Sequence, residues 1–218
     1  MDFSEAYGWS FDGAVLCGFD NFIFVLTDPQ FWQAVLNTLI FGISTLISLV
    51  LALIIAYLLT RDVKGLAVWR IIFFVPYVCS TIALTLMWKE MFNPAWGIIN
   101  QILGNTDLAN GAINWTGEPT AFYCMVIIMS VWSGMGYGIL LYSAALTNVD
   151  QSTVEAATID GAGPFRIFFC VVLPTISPTT FYLLITGIIG LLQSFATTFT
   201  LGSSLTTQSL TIVYYMYN

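Results

Sequence analysis

The residues of this chain that could do chemistry are few and unevenly placed. Its 218 residues hold no histidine, five Lys or Arg and twelve Asp or Glu, so only 8% are charged. Without histidine the commonest general base and a major metal ligand are missing together. Cys17, Cys79, Cys124 and Cys170 are scattered, and none forms a CxxC pair, so neither a zinc site nor a disulfide framework is indicated. There is no Gly-x-x-x-x-Gly-Lys loop to cradle nucleotide phosphates, and no basic stripe to neutralise a nucleic acid. Two groups of side chains remain. One is the pair of carboxylates Glu155 and Asp160, set among small residues and able to pair with basic groups of a partner. The other is a set of uncharged polar groups inside apolar stretches: Ser130, Ser133, Tyr137, Gln193 and Ser194, with Trp132 as a stacking surface. Such groups suit the binding of a neutral polar solute. They supply no catalytic cluster, metal site or cofactor site.

The elements that must position these residues are apolar helices. Hydrophobic residues make up 58% of the chain and the mean hydropathy is +0.86, whereas soluble domains carry about 25% charged residues. Lipid is the solvent that this composition fits. A helix needs about 20 apolar residues to cross the hydrocarbon layer, and an open sheet cannot cross it at all. Apolar runs bracketed by charge predict crossings at 30–60, 70–91, 119–146 and 174–200, with the start of a further one at 209–218. The expected fold is therefore an all-α membrane protein with four complete transmembrane helices. The acidic stretch 1–28 is expected to be an extracytoplasmic lead-in. The Gly-, Asn- and Trp-rich stretch 92–118 is expected to be an extracytoplasmic loop able to form a small cap. Arg61, Lys64 and Arg70 place the loop between the first two crossings in the cytoplasm. Arg166, two crossings later, falls on the same side, and Lys89 is the exception. Trp32, Tyr57, Trp69, Trp88 and Trp96 fit an interfacial belt.

Glu155 and Asp160 sit between the third and fourth crossings, in a segment with its own start and stop signals. Ser152 followed by Glu155 reads as a capping box, with Asp150 as another possible N-cap. Gly161 is placed to end the helix and Pro164 to begin the next. A helix of about two to three turns over 150–163 is too short to span and should lie at the cytoplasmic face. Ala156, Ala157, Gly161 and Ala162 would let another protein's backbone come close. Taken alone, the segment is better read as an amphipathic connector resting on lipid headgroups.

The spacing of Glu155-Ala-Ala, Asp160-Gly-Ala and Leu173-Pro174 resembles the EAA…G…LP signature of ABC importer permeases. Gly18-Phe-Asp-Asn-Phe, Asp28-Pro-x-Phe-Trp, Leu36-Asn-Thr, Phe74-x-Pro76, Trp88 with Phe92-Asn-Pro, Gly97-x-x-Asn100 and Trp132 with Gly134 extend the resemblance along the chain. It is to the carbohydrate-uptake type, similar to the maltose and glycerol-phosphate permease subunits. The resemblance implies a type I ABC importer transmembrane core in the bacterial inner membrane. Its usual six helices make this chain an expected fragment, one helix short at each end. The resemblance also implies that 150–163 is a coupling helix, seated in a groove of an ATPase through Glu155, Ala156, Ala157, Asp160, Gly161 and Ala162. A substrate path past Ser133, Gly134, Tyr137, Gln193 and Ser194 is implied in the same way. The partners implied are a second permease subunit, an ATP-binding cassette ATPase dimer and an extracytoplasmic solute-binding protein. ATP hydrolysis would then belong to the ATPase, and this chain would not be an enzyme. The family's Gly-Gly-Gly-Pro is replaced here by Leu201-Gly-Ser-Ser-Leu-Thr-Thr. Gly134-Met-Gly-Tyr-Gly138 lies in an apolar span, so its glycines are read as helix packing or kinking. An ion-coupled carrier or channel is the alternative, but such proteins place ionisable residues inside the membrane, and here Lys89 and Glu90 stand only at an outer end and Arg70 at an inner one. A neutral sugar fits spans otherwise free of charge, since a buried ion would want a counter-charge.

Overall fold

The computed structural model describes residues 18–60, 66–104, 111–202 and 209–217. Arg61 and Lys64, which carry the orientation argument, lie outside the described residues, as do Cys17 and most of the 1–28 lead-in. The described chain is helical: α1 (Asp20–Thr27), α2 (Pro29–Leu58), α3 (Leu66–Val78), α4 (Thr81–Met91), α5 (Ile98–Ile102), α6 (Pro119–Leu146), α7 (Gln151–Ile159), α8 (Pro164–Ile167), α9 (Leu173–Leu192), α10 (Ala196–Leu201) and α11 (Ile212–Tyr217). A π turn at Phe168–Val172 joins α8 to α9. Three continuous spans are long and apolar enough to cross a membrane: Pro29–Leu58, Pro119–Leu146 and Pro164–Leu192.

Two expected boundaries differ. The crossing expected at 70–91 is a bent pair, Ile71–Val78 and Thr81–Met91, meeting at 106°. Pro76 lies inside α3, where it removes a helical hydrogen bond and clashes with the preceding turn. The crossing expected at 174–200 begins at Pro164 and stops at Leu192, with α10 as a separate helix beyond the break. Pro174 looked like a start signal, but it occupies the first turn of α9 within a longer helix that the π turn keeps continuous.

The helices pack as membrane helices do, through small residues. α2 buries Ala34, Ser44, Ser48, Ala52 and Ala56 at roughly helical spacing, while Leu39, Leu46 and Val50 point outward. Because lipid tails are as apolar as leucine, close backbone approach rather than hydrophobicity holds such helices together. On α6 a Cβ at Gly138 would lie 2.8 Å from the Ala52 Cβ of α2, and one at Gly136 would fall on the Phe73 carbonyl of α3. These two glycines therefore serve packing, and α6 runs unbroken through them.

Contacts fix the directions. Tyr123 meets Asn37, Gly134 meets Ser48 and Gly138 meets Ala52, so α6 runs parallel to α2. Gly42 meets Leu191 and Thr45 meets Gly187, so α9 runs antiparallel to both. One end of the bundle thus holds the starts of α2 and α6 and the end of α9. The opposite end holds the ends of α2 and α6, together with α7.

Buried polar bonds lock the first end. Asn37 Nδ2 donates to the Leu210 carbonyl (2.9 Å), and its Oδ1 accepts from the Tyr123 hydroxyl (2.7 Å). The Ile212 N–H donates to Thr38 Oγ1 (3.2 Å), and the Thr211 hydroxyl donates to the Ser194 carbonyl (2.9 Å). Asp28 caps α2 by accepting from the Gln30 N–H (2.9 Å) and also accepts from the Tyr215 hydroxyl (2.6 Å). That hydroxyl, with the Gln30 N–H second, holds the Asp28 carboxyl below its ordinary value. The described parts of the 92–118 stretch, 92–104 and 111–118, fold around buried Asn100. Its Nδ2 donates to the Ile113 carbonyl (3.0 Å) and its Oδ1 accepts from Trp115 Nε1 (2.9 Å), forming an ordered cap.

Candidate functional site

Two features stand apart from the helix packing. The first is an open-sided cavity of about 530 Å³ bordered by α2, α3, α6, α9 and α10. Its polar lining is hydroxylic: Ser44 and Ser48 from α2, Ser130 and Tyr137 from α6, Thr186 from α9 and Thr197 from α10. No Asp, Glu, Lys or Arg among the described residues lines it. Along α6 the lining runs from Val126 to Gly138, so the cavity lies midway between the helix ends. A second cavity of about 220 Å³ adjoins it at the α3–α4 bend, beside Pro76, Cys79 and Thr81.

The expected path residues are partly brought together. Gly134, Tyr137 and Ser194 line the larger cavity, and Ser133 with Gly134 lines the smaller. Ser133 donates to the carbonyls of Met129 (3.0 Å) and Ser130 (3.3 Å), so its hydroxyl already serves its own helix. Gln193 lines neither cavity; it is the exposed residue that follows the last turn of α9. Trp132 is half-buried and packs edge-on against Trp88 with centroids 5.4 Å apart, away from both cavities. The aromatic face at the cavity belongs instead to Tyr77, stacked on Tyr137 at 5.0 Å and 14°. Sequence reasoning missed Tyr77, although Pro76 beside it signalled a break that would open a side chain to the bundle interior. It also missed Ser44 and Ser48, which the i, i+4 row of small residues on α2 marks.

The second feature is α7, at the opposite end from the cap. Asp150, not Ser152, is its N-cap: it accepts from the Ser152 N–H (2.9 Å) and from the Ser152 hydroxyl (2.7 Å). Those two bonds, the hydroxyl's first, keep the Asp150 carboxyl below its ordinary value. Glu155 therefore stands free of a capping duty that sequence reasoning had offered it. At the other end Gly161 has φ +80°, a left-handed conformation open to glycine at little cost. The Gly161 N–H donates to the Thr158 carbonyl and the Ala162 N–H to the Ala157 carbonyl, both at 3.0 Å, which completes a Schellman stop. Glu155, Ala156, Asp160 and Gly161 are exposed, and Ala157 and Ala162 are half-buried. Val154 anchors the helix on the apolar core beneath. Ile159 is 86% exposed and Phe165 81% exposed, so the α7–α8 corner presents apolar side chains beside its carboxylates.

A bundle of membrane-crossing helices around a hydroxylic cavity, with a short capped helix exposed at one end, is the design of a solute permease. The family described as binding-protein-dependent transport system inner membrane component matches residues 19–218, and the chain belongs to it. The sn-glycerol-3-phosphate transport system permease protein UgpA of Yersinia enterocolitica is 35% identical over 179 residues, which are 79% of this chain and 58% of that protein. The chain thus spans little more than half the length of that relative. The lactose transport system permease protein LacF of Rhizobium radiobacter is 34% identical over 206 residues, covering 92% of this chain and 69% of that protein. In fold, the chain matches a crystal structure of a bacterial ABC transporter involved in the import of the acidic polysaccharide alginate. The TM-score is 0.82 at 23% identity, over 95% of this chain and 73% of the other. The expected all-α importer fold is therefore the one found.

Proposed function

We propose that this chain is the transmembrane subunit of an ATP-driven importer in the bacterial inner membrane. Its hydroxylic cavity forms one wall of the path for a sugar or sugar-like solute. A solute-binding protein delivers that solute on the capped side, a second permease subunit completes the path, and an ATPase dimer drives the cycle from the α7 side. The observation that carries this reading is α7 itself: a short helix, capped at both ends, with the Glu155, Ile159 and Asp160 side chains exposed and unengaged by other described residues. It joins α6, which lines the cavity, to the α8–α9 span, which lines it from the other side. A force applied at α7 is thereby applied to both walls. ATP-driven closure of the ATPase would rock the helices as packed bodies, with differential ATP binding to the two states supplying the free energy. The transport role of the LacF relative supports a sugar, whereas that of UgpA concerns sn-glycerol-3-phosphate, an anion. The uncharged lining favours a neutral solute.

Replacing Glu155 by Lys in the assembled transporter tests the reading. Uptake per ATP hydrolysed should fall at least tenfold, because a carboxylate facing a basic groove becomes a like charge. Unchanged coupling would remove α7 from the mechanism. An ion-coupled carrier would be indifferent to the substitution and would respond to the membrane potential instead.

A further inference from the structure

The geometry points to an inner gate built from three tyrosines on three helices: Tyr77 of α3, Tyr137 of α6 and Tyr182 of α9. The Tyr137 and Tyr182 hydroxyls lie 3.3 Å apart and join α6 to α9. The Tyr77 ring stacks on the Tyr137 ring, with centroids 5.0 Å apart and an interplanar angle of 14°. These are the contacts that bring all three helices to one point.

Helix register places that point at the floor of the cavity. Along α6 the lining ends at Tyr137 and Gly138; along α9 it ends at Leu183, one residue from Tyr182. Toward α7 from there, Tyr142, Leu146, Val172 and Ile176 are buried in a closed apolar cluster. On this chain's wall of the path, a solute in the cavity therefore meets the tyrosines before it can go further inward. The rings are placed to yield. Tyr77 is 48% exposed and lines the cavity, and Tyr182 is 50% exposed, so neither ring is locked in the packed core. One neutral hydrogen bond at 3.3 Å is long for a hydroxyl pair, and a stacked pair separates by sliding. Both contacts cross the α6–α9 and α3–α6 seams, which rocking of the helices must open. No other hydroxyl at the cavity joins two transmembrane helices by a side-chain hydrogen bond among the described residues.

This inference rests on the importer reading and adds to it the place where the path is closed and the contacts that hold it closed. Its test uses the full-length permease assembled with its partner permease, ATPase dimer and binding protein in phospholipid vesicles, with MgATP hydrolysis as the readout. Tyr182→Phe removes the hydroxyl pair and keeps the ring. The ratio of binding-protein-stimulated to basal hydrolysis should fall at least threefold, through a raised basal rate, because the resting contact that holds the seam is gone. Tyr182→Ala should raise the basal rate further. For the converse, Cys17, Cys79, Cys124 and Cys170 are replaced by Ser, and cysteines are placed at 137 and 182. Joining them with a short bis-methanethiosulfonate should lower stimulated hydrolysis at least tenfold, and dithiothreitol should restore it. A joined complex that hydrolyses ATP like the reduced one overturns the gate, as does a Tyr182→Phe variant with an unchanged ratio. An unsubstituted complex that its binding protein fails to stimulate overturns the importer reading, and the gate with it.

Discussion

The two ends of the bundle are built differently. At the capped end, buried amides and hydroxyls join Asn37 to Leu210, Thr38 to Ile212 and Asn100 to Trp115, and the half-exposed Asp28 carboxylate holds Tyr215. At the α7 end the polar bonds are local. Asp150 caps its own helix, Gly161 closes it, and Val154 seats it on the core. One end spends its polar groups on internal order, whereas the other leaves Glu155 and Asp160 free and Ile159 and Phe165 exposed. The docking proposed for α7 would need side chains left uncommitted, and the rocking proposed for the helices would need an opposite end that holds its shape.

Four changes should sharpen that contrast. The largest effect is expected where helices touch backbone to backbone. Gly136→Ala would drive a Cβ onto the Phe73 carbonyl, and overpacking of this kind costs about 1–3 kcal/mol. A fall in the thermal midpoint of the purified permease checks it. A variant as stable as the parent would show that α3 and α6 do not pack as described. Asn37→Ala comes next. It removes the bonds to the Leu210 carbonyl and from the Tyr123 hydroxyl, a loss of about 0.6–1.7 kcal/mol for hydrogen bonds between membrane helices. Hydrogen exchange should then quicken at 209–212 and stay unchanged in α7. Equal quickening at both ends would erase the distinction between them.

At the α7 end the effects should be smaller and confined. Gly161→Ala forces a β-carbon into the left-handed region, at about 1 kcal/mol. It should fray α7 in exchange measurements without moving the global midpoint. The weakest effect concerns Asp150. Its carboxyl titrates below its ordinary value when folded, so the cap's contribution is complete above that ordinary value, near 3.8, and is lost as pH falls through the lower, folded one. Exchange in α7 should therefore rise only in strongly acidic solution, and Asp150→Asn, whose amide does not titrate, should abolish that rise. Loss of the cap on going from pH 8 to pH 6 would contradict the assignment.

How much of this could be read from sequence depended on the kind of signal. Uninterrupted apolar runs marked α2 and α6 closely, because length and hydropathy decide a span. The stop of α7 was legible because a left-handed residue all but requires glycine, and Gly161 stood where one was needed. The start was harder, since Asp150 and Ser152 offered competing caps two residues apart and the backbone chose the first. The bend at 79–80 was harder still. Pro76 announces a disturbance without its angle, and hydropathy runs smoothly across it. In the cavity, sequence named Gly134, Tyr137 and Ser194 but put Trp132 and Gln193 beside them. Helical phase decides which of two neighbours faces inward, and one residue's shift turns a side chain by about 100°. Tyr77 and Tyr182 went unnamed because their importance lies in contacts across helices, which no local pattern records.

The central claim is that α7 is a docking element for an ATPase and not a connector resting on lipid. A photo-reactive residue in place of Ile159, which is 86% exposed and one turn from Glu155, tests it most directly in the assembled transporter in phospholipid vesicles. The account predicts a covalent product with the ATPase subunit, its yield changing between ATP-bound and nucleotide-free complexes. Cross-links to lipid alone, with or without nucleotide, would contradict it.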